Sequence, residues 1–543
     1  MIMKIIIEIL KKILNDNLHI NNNIIMGIPS YFKKTIENYP EIISPLEKNL
    51  NNKGTNNNLF LDLNCAIHPC CAGKTDENEM KQSILEKIQE CIEITGVDKL
   101  LYIAIDGPAP RTKMEQQRQR RLRSVHENKI WDTNQITPGT RFMNDLNLFL
   151  KDNLKNLKKY KIKKNNNLKI VLSDSNEPGE GEHKIMKYMD LHCSTNDTNV
   201  VYGLDADLMM LSMIRKHKVY LLRERTEFNF EGLDTNYVFL DINLLKQSIV
   251  QTLKKSFIKV PNDSLLNDYL FMCFFIGNDF IINSPSINIR YSGLDRLLEI
   301  YNELQQEYFG IFYLIDLQEK NKINENNLKL FIKKLSEKEN ESLKDILNIR
   351  NNQQKKYQRI YNDLYKKCKE IDITKIQTLT HQDLGTSEDR FMEFKNHSPI
   401  ILRNDESEIV LNEKKYYLHN FYNVERYDPS FKMMLEQDKQ ILCHEYLKSI
   451  VWTTQYYFGE CPSWRWYYKY HFAPLFSDFY PLENIDLNEI KFNNEQEKNP
   501  YTPEEQLKIV LPCQDDSYLY PKYTPLHSLM KRYFWECHPI MVN

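Results

Sequence analysis

Several absences narrow the reading before any motif is considered. No CxxC pair occurs among the 11 cysteines, and the closest grouping, Cys65, Cys70 and Cys71, has no second pair at zinc-ribbon spacing. That pattern argues against a structural zinc site. It suits reduced thiols in an intracellular compartment, expected to be the cytoplasm, with the nucleus as the alternative. No run of about 18 apolar residues is present, so no membrane-crossing helix is expected. An amphipathic stretch passes through Ile5, Ile6, Ile9, Leu10, Ile13 and Leu14. Glu8, Lys11 and Lys12 interrupt it and no small-residue cleavage site follows, which argues against a secretory signal. Calcium-loop spacing is missing, no internal repeat is visible, and the Asn tracts 21–23, 56–58 and 165–167 read as compositional bias. Net charge is nearly missing too: 72 Lys+Arg against 74 Asp+Glu give −2, so only local charge can report on partners.

What is present suits a soluble folded chain. The 543 residues are 41% hydrophobic and 27% charged, and an 11% aromatic content offers many stacking surfaces. Four short apolar segments read as buried strands: Leu59–Asp62, Leu100–Asp106, Leu168–Leu172 and Val200–Asp205. Segments with helical spacing alternate with them, such as Ile84, Leu85, Ile88 and Ile92, or Phe142, Leu146, Phe149 and Leu150. This alternation predicts an α/β fold with a mixed, largely parallel central sheet flanked by helices. The expected division is an extension over 1–25, an α/β unit over 26–302, a Lys/Glu/Asn-rich helical insertion over 303–415, and a mostly helical, aromatic-rich region over 416–543.

The acids stand in unusual settings. Asp62 and Asn64 close the first strand, Asp106 opens Asp106-Gly107-Pro108, Glu180 and Glu182 flank Gly181, Asp205 and Asp207 flank Ala206, and Asp279 follows Gly277-Asn278. A single acid after a strand is usually a cap or turn residue. Capping alone does not call for Glu-Gly-Glu and Asp-Ala-Asp as well. If the strand ends converge, these anions repel one another unless cations neutralise them. Divalent ions such as Mg²⁺, with Mn²⁺ as a substitute, take oxygen ligands, and a pair about 4 Å apart suits phosphodiester hydrolysis.

Arg111 to Arg123 holds six basic residues against the single acid Glu115. At about 100° per residue, Lys113, Gln117, Arg120 and Arg121 share one face of a helix, a set of donors suited to a terminal phosphate. The bland alternative is a solvated basic helix. His68, Trp464 and Trp466 are candidate stacking platforms for bases, while Tyr456, Tyr457 and Tyr470 read as core.

Together these residues resemble the XRN-type 5′→3′ exoribonucleases, within the wider PIN/flap-nuclease-like group. The resemblance is carried by Met26 to Phe32, by Phe60-Leu61-Asp62-Leu63-Asn64 with His68, and by Ala104 to Arg111. It continues through Lys113 to Arg121, Ile136 to Thr140, Pro178 to Lys184, Gly203 to Asp207, Cys273 to Phe280, and Trp464 to Pro474. It implies a PIN/FEN-like core in which Asp62, Asp106, Glu180, Glu182, Asp205, Asp207 and Asp279 hold two Mg²⁺ ions. It also implies that Lys113, Gln117, Arg120 and Arg121 bind a 5′-phosphate, and that His68 with Trp464 or Trp466 sandwiches the leading bases. The region 416–543 would complete the pocket. Implied activity is processive degradation of single-stranded, 5′-monophosphorylated RNA to nucleoside 5′-monophosphates by a monomer, with capped and triphosphorylated ends rejected.

Three features depart from the pattern. The Met-Gly motif starts at Met26, which is expected to be the true start unless 1–25 is an addition. Phe280 to Pro285 replaces a Leu-Pro-rich run, and the chain ends at Asn543 without the long extension of the larger members. Two other readings stay open: a structure-specific 5′ flap or DNA exonuclease, disfavoured by the lack of a helix-hairpin-helix element, and an inactive RNA-binding scaffold, disfavoured by the complete set of acids.

Overall fold

The computed structural model describes residues 31–45, 57–124, 131–157, 168–224, 236–319, 322–368, 402–403, 409–410, 436–470, 473–480, 486–487, 489–492 and 495–511. The expected extension 1–25, Met26 to Ser30, most of 369–435 and the tail from 512 lie outside these residues.

All four strands read from the sequence form, with ends shifted by at most three residues: β2 (Asn58–Asp62), β3 (Leu100–Ala104), β4 (Lys169–Ser173) and β5 (Thr198–Tyr202). With β1 (Ile43–Pro45), β6 (Lys218–Glu224) and β7 (Tyr237–Asp241) they make one seven-stranded sheet of order β1-β7-β6-β5-β2-β3-β4. β2 pairs in parallel with β3 and β5, β3 with β4, and β5 with β6, while β6–β7 and β7–β1 are antiparallel. The chain moves outward from β2 to β4 and then returns to place β5 on the other side of β2. The switch in direction therefore opens a crevice at the carboxyl ends of β2 and β5, where such sheets bind ligands.

The strands read as continuous apolar runs because both faces are covered. Leu59, Leu61, Leu101 and Ile103 pack against Ile84, Ile88 and Phe142 on one side, whereas Phe60, Tyr102 and Val201 pack against Met186, Met209 and Phe271 on the other. Helix Glu77–Thr95 shows how local chemistry sets these elements. The Asp76 side chain accepts from the Asn78 amide at its start, Gly96 at φ 61 ends it, and Ile84, Leu85, Ile88 and Ile92 form its buried stripe.

The core on the Phe60 face extends without interruption into helices Asn262–Phe275, Gly293–Glu307 and Glu436–Phe458, through Phe274, Tyr446, Trp452 and Tyr457. A long helix, Glu325–Cys368, lies where the sequence leads one to expect a helical insertion. Its buried Glu339 carboxylate accepts from the amides of Phe476 and Ser477 and from the Ser286 hydroxyl, joining three distant segments. Much of the aromatic region thus serves as core.

Candidate active site

Because β5, β2 and β3 are parallel neighbours, their carboxyl ends place Asp205, Asp62 and Asp106 side by side. Asp62 is the last residue of β2, Asp106 follows β3, and Asp205 precedes helix Ala206–Ile214. Glu180-Gly181-Glu182 crosses these ends. The Gly181 amide donates to Asp106 Oδ1 at 2.7 Å, and a Cβ at Gly181 would stand 2.8 Å from Asp62 Oδ1 and 3.4 Å from Asp106 Oδ1. Glycine is required there by this close approach, which explains its place between two glutamates. Asn64 fixes the Asp106 carboxylate: its Nδ2 donates to Oδ2 at 2.8 Å while its Oδ1 accepts from the Asp106 amide at 3.0 Å. The Cys65 thiol donates to Asp62 Oδ2 at 3.3 Å and its sulfur accepts from the Leu204 amide.

Lys113, read from the sequence as a phosphate ligand, reaches into this cluster. Its ammonium lies 2.5 Å from Glu180 Oε2 and 2.7 Å from Asp279 Oδ2. Burial works against that charge, yet Asp279 and Glu180, then Glu182 and Asp207, hold it well above the usual lysine range. The other Glu180 oxygen accepts from the Tyr456 hydroxyl at 3.0 Å, and the Tyr456 ring stacks on His183 with centroids 3.8 Å apart. All seven acids singled out in the sequence meet at this end of the sheet.

Burial, followed by neighbouring carboxylates, pushes Asp62 and Asp207 well up from the usual range, while burial lifts Glu182 well up and Asp205 to about 6. Asp62 Oδ1 and Asp207 Oδ1 are buried without a hydrogen-bond donor. A carboxylate oxygen buried without a donor calls for a cation. Ligand atoms of Asp62, Cys65 and Asp205 lie within 4.8 Å of one another, as do those of Glu180, Glu182 and His183. Burial, with Asp62 beside it, pushes the Cys65 thiol well up, so it stays protonated, and the oxygen-rich donor set fits hard divalent cations.

The sign of the linkage is testable. Folded-state pKa values raised above those of the unfolded chain mean that the metal-free fold binds extra protons and loses stability as pH rises through about 6. Stabilisation by Mg²⁺ is therefore expected to grow from about pH 5 to about pH 8. Thermal melts with Mg²⁺ or EDTA check this, and a stabilisation that shrinks with pH would contradict the assignment.

The helix Arg111–Ser124 presents Lys113, Gln117 and Arg121 inward as its spacing suggested, and Arg120 is half-buried. Arg121 donates from Nε to Thr137 Oγ1 at 2.9 Å, so the Ile136–Thr140 loop anchors it. Arg111 lies over the Tyr467 ring, and Arg118 pairs with Glu115. The tryptophan loop is strapped to the start of this helix: the Arg111 amide donates to Trp464 O at 2.9 Å and the Thr112 hydroxyl to Trp466 O at 3.0 Å. Trp466 packs edge-on against Phe492, with Lys448 over its ring. The half-buried indole of Trp464 makes no ring contact with the described residues. His68 lies in the last turn of helix Asn64–Cys71, also half-buried.

The family model described as XRN 5'-3' exonuclease N-terminus matches residues 26–130 and 124–225, and the one described as Xrn1 helical domain matches 259–533. The chain belongs to the XRN 5'-3' exonuclease family. The 5'-3' exoribonuclease 2 homolog of Drosophila melanogaster is 27% identical over 93% of this chain and 66% of that protein. The 5'-3' exoribonuclease 1 of Schizosaccharomyces pombe is 28% identical over 92% of this chain and 45% of its own length. This XRN chain thus spans about two thirds or less of these relatives. The solved catalytic core of Rad2 in complex with DNA substrate aligns with a TM-score of 0.31 and 16% identity over 57% of this chain and 80% of that one.

Sequence reading of this XRN chain missed three participants. Tyr456 is core, as read, but the reach of its hydroxyl to Glu180 was not foreseen. Cys65 and Arg223 were not singled out; the buried Arg223 guanidinium stacks on Phe32 and feels Asp205. An arginine on a buried strand, Leu221-Leu222-Arg223, was the available signal. Tyr456→Phe keeps the stacked ring and removes only the donor. It is expected to weaken Mn²⁺ binding by about tenfold, in line with losses on removing an outer hydrogen bond to a metal ligand. Titration by electron paramagnetic resonance measures this, and unchanged affinity would contradict it.

Proposed function

We propose that this chain is a divalent-metal-dependent 5′→3′ exoribonuclease that takes single-stranded RNA by a 5′-monophosphate and releases nucleoside 5′-monophosphates. One observation carries the reading. Lys113 joins a seven-carboxylate cluster to a basic helix face, so a phosphate held on that face lies beside the hydrolytic centre.

Asp62, Asp106, Glu180, Glu182, Asp205, Asp207 and Asp279 would hold a pair of Mg²⁺ ions, with Mn²⁺ able to replace them. Such ions supply an activated water and neutralise charge at the leaving oxygen. The protein's own part is placement. Asn64 and the Gly181 amide hold Asp106, Cys65 holds Asp62, and Tyr456 holds Glu180. Gln117, Arg120 and Arg121 take the 5′-phosphate, with Lys113 between it and the carboxylates. Several donors and cations on one helix face favour a terminal monophosphate over a hydroxyl, which lacks the charge. His68 and Trp464 stack on the leading bases.

Trp464→Ala is expected to weaken binding of short single-stranded RNA by about 1–3 kcal/mol with little effect on folding. Trp466→Ala is expected instead to lower stability by about 1–3 kcal/mol, since its ring is packed against Phe492. Fluorescence anisotropy together with thermal melts separates the two, and the reverse pattern would exchange the roles of the tryptophans.

The proposal as a whole is tested by digesting end-labelled RNA bearing a 5′-hydroxyl, monophosphate or triphosphate, with and without Mg²⁺, beside matched DNA and flap substrates. Metal-dependent mononucleotide release from monophosphorylated RNA is the expected result. Preference for the flap would replace it with a structure-specific DNA nuclease.

A further inference from the structure

The geometry points to Gln506 as a specificity-determining positioning residue: it sets which end of the Gln117 amide faces an RNA 5′-phosphate. The inference rests on the reading of the basic helix as a phosphate clamp, and names a part of that clamp lying almost 390 residues away in the chain.

Gln506 is fully buried in the short helix Pro503–Val510, which packs on helix Arg111–Ser124. Its start is set firmly. Thr502 and Glu505 form a reciprocal capping box, Pro503 occupies the first turn, and the Arg465 guanidinium reaches the Glu505 carboxylate at 3.4 Å. The helix also presses on the loop that anchors Arg121. A Cβ at Gly139, where φ is +90, would stand 2.9 Å from Pro503 Cβ and 3.0 Å from Leu507 Cδ1. The Gln506 side chain therefore sits on a rigid support.

Two contacts fix the polarity of both amides. The Ala109 backbone N–H can only donate, so the Gln506 atom facing it at 2.7 Å is the oxygen, Oε1. Nε2 of Gln506 must then point the other way, toward Gln117, where it meets Oε1 at 3.5 Å. The bond is long, but its sense is settled, because a buried nitrogen facing a second nitrogen would leave two donors opposed. With its oxygen turned toward Gln506, Gln117 is left with its NH₂ group free to donate, and that group bonds to none of the described residues.

That polarity matters for the ligand. Ionised phosphate oxygens accept hydrogen bonds and cannot donate, so an NH₂ end attracts them and a carbonyl end repels them. A lone glutamine amide can rotate to present either end at small cost. The chain from Ala109 through Gln506 to Gln117 removes that freedom and pre-organises a neutral donor among the cations. Glutamine suits the Gln506 position because it accepts from one neighbour and donates to the other.

Gln506→Glu separates the two duties. The introduced carboxylate still accepts from Ala109 but has no proton to give when ionised, so the Gln117 NH₂ turns inward and its carbonyl turns outward. The measurement is the ratio of kcat/KM for 5′-monophosphate RNA to that for 5′-hydroxyl RNA, together with the KM for the phosphorylated substrate. Q506E is expected to lower the ratio by about tenfold or more, through KM. Gln506→Met keeps the bulk without either bond, leaves Gln117 free to rotate, and is expected to lower the ratio by less. If Q506E does not fold, as judged by thermal unfolding, the ratio for Q506M decides. Gln117→Ala identifies which reading fails. A wild-type ratio in Q117A overturns the phosphate clamp itself. A lowered ratio in Q117A alongside wild-type ratios in Q506E and Q506M overturns the role of Gln506 alone. An equal loss on both RNAs in the Gln506 variants makes Gln506 merely structural and also overturns the inference.

Discussion

Replacing Asp205 and Asp207 together by Asn is expected to reduce Mg²⁺-dependent release of mononucleotides by on the order of 10³-fold or more, with single-stranded RNA still bound. Both side chains belong to the carboxylate cluster. Asp205 lies within 4.8 Å of a ligand atom of Asp62, and Asp207 is almost fully buried with Oδ1 unpaired. Asn matches Asp in size and is an equally good residue at a helix start, so helix Ala206–Ile214 should form unchanged. What disappears is two buried carboxylates whose charge Lys113 offsets only in part, with Arg223 helping at Asp205. The same substitution should therefore raise the melting temperature in EDTA, because repulsion with Asp62, Asp279 and Glu180 is relieved. Lost activity with gained metal-free stability is a pattern that a general folding defect does not produce. Residual Mg²⁺-dependent release close to the wild-type rate would remove these residues from the hydrolytic centre.

The second large effect concerns the RNA end. Arg120→Ala with Arg121→Ala is expected to lower the preference for 5′-monophosphate over 5′-hydroxyl RNA by on the order of 10²-fold. Hydrogen bonds to a charged partner contribute roughly 1.5–3 kcal/mol each, and about 1.4 kcal/mol is a tenfold change. Arg121 also holds the Ile136–Thr140 loop through Thr137, so the double variant should lose some stability as well. The ratio between the two RNAs, rather than either rate, isolates phosphate recognition. Competition kinetics with both RNAs in one reaction measures that ratio directly, and a preference that survives would place the phosphate away from this helix.

The strand-terminal acids could be read from the sequence because parallel strands all expose their carboxyl ends at one edge of a sheet. That rule put Asp62, Asp106 and Asp205 at one edge, the strand order β5-β2-β3 made them neighbours, and Gly181 between two glutamates marked the crossing chain. The basic helix could be read for a similar reason, since helical periodicity alone puts Lys113, Gln117 and Arg121 on one side. Lys113 shows where such reasoning stops. A helix face predicts its direction, whereas its pairing with Glu180 and Asp279 depends on how the helix docks against two other segments. The tryptophans were beyond periodicity altogether, as Trp464 and Trp466 are two residues apart in an irregular loop. The contacts of Trp466 with Phe492 and Lys448, contributed by other segments, are what distinguish it from Trp464 among the described residues.

By itself, then, the sequence determined the α/β alternation, the acids at the strand ends, the cationic helix face and the resemblance to XRN exoribonucleases. The first three depend on short-range periodicity or on strand-end chemistry carried within a few tens of residues, and the resemblance on the order of short motifs along the chain. Tertiary structure alone decided that the Lys113 ammonium bridges Glu180 and Asp279, that Tyr456 supports Glu180, and that Gln506 reaches Gln117. Those contacts join segments far apart in the chain, and their geometry arises from the packing of a shared core, which no local pattern encodes.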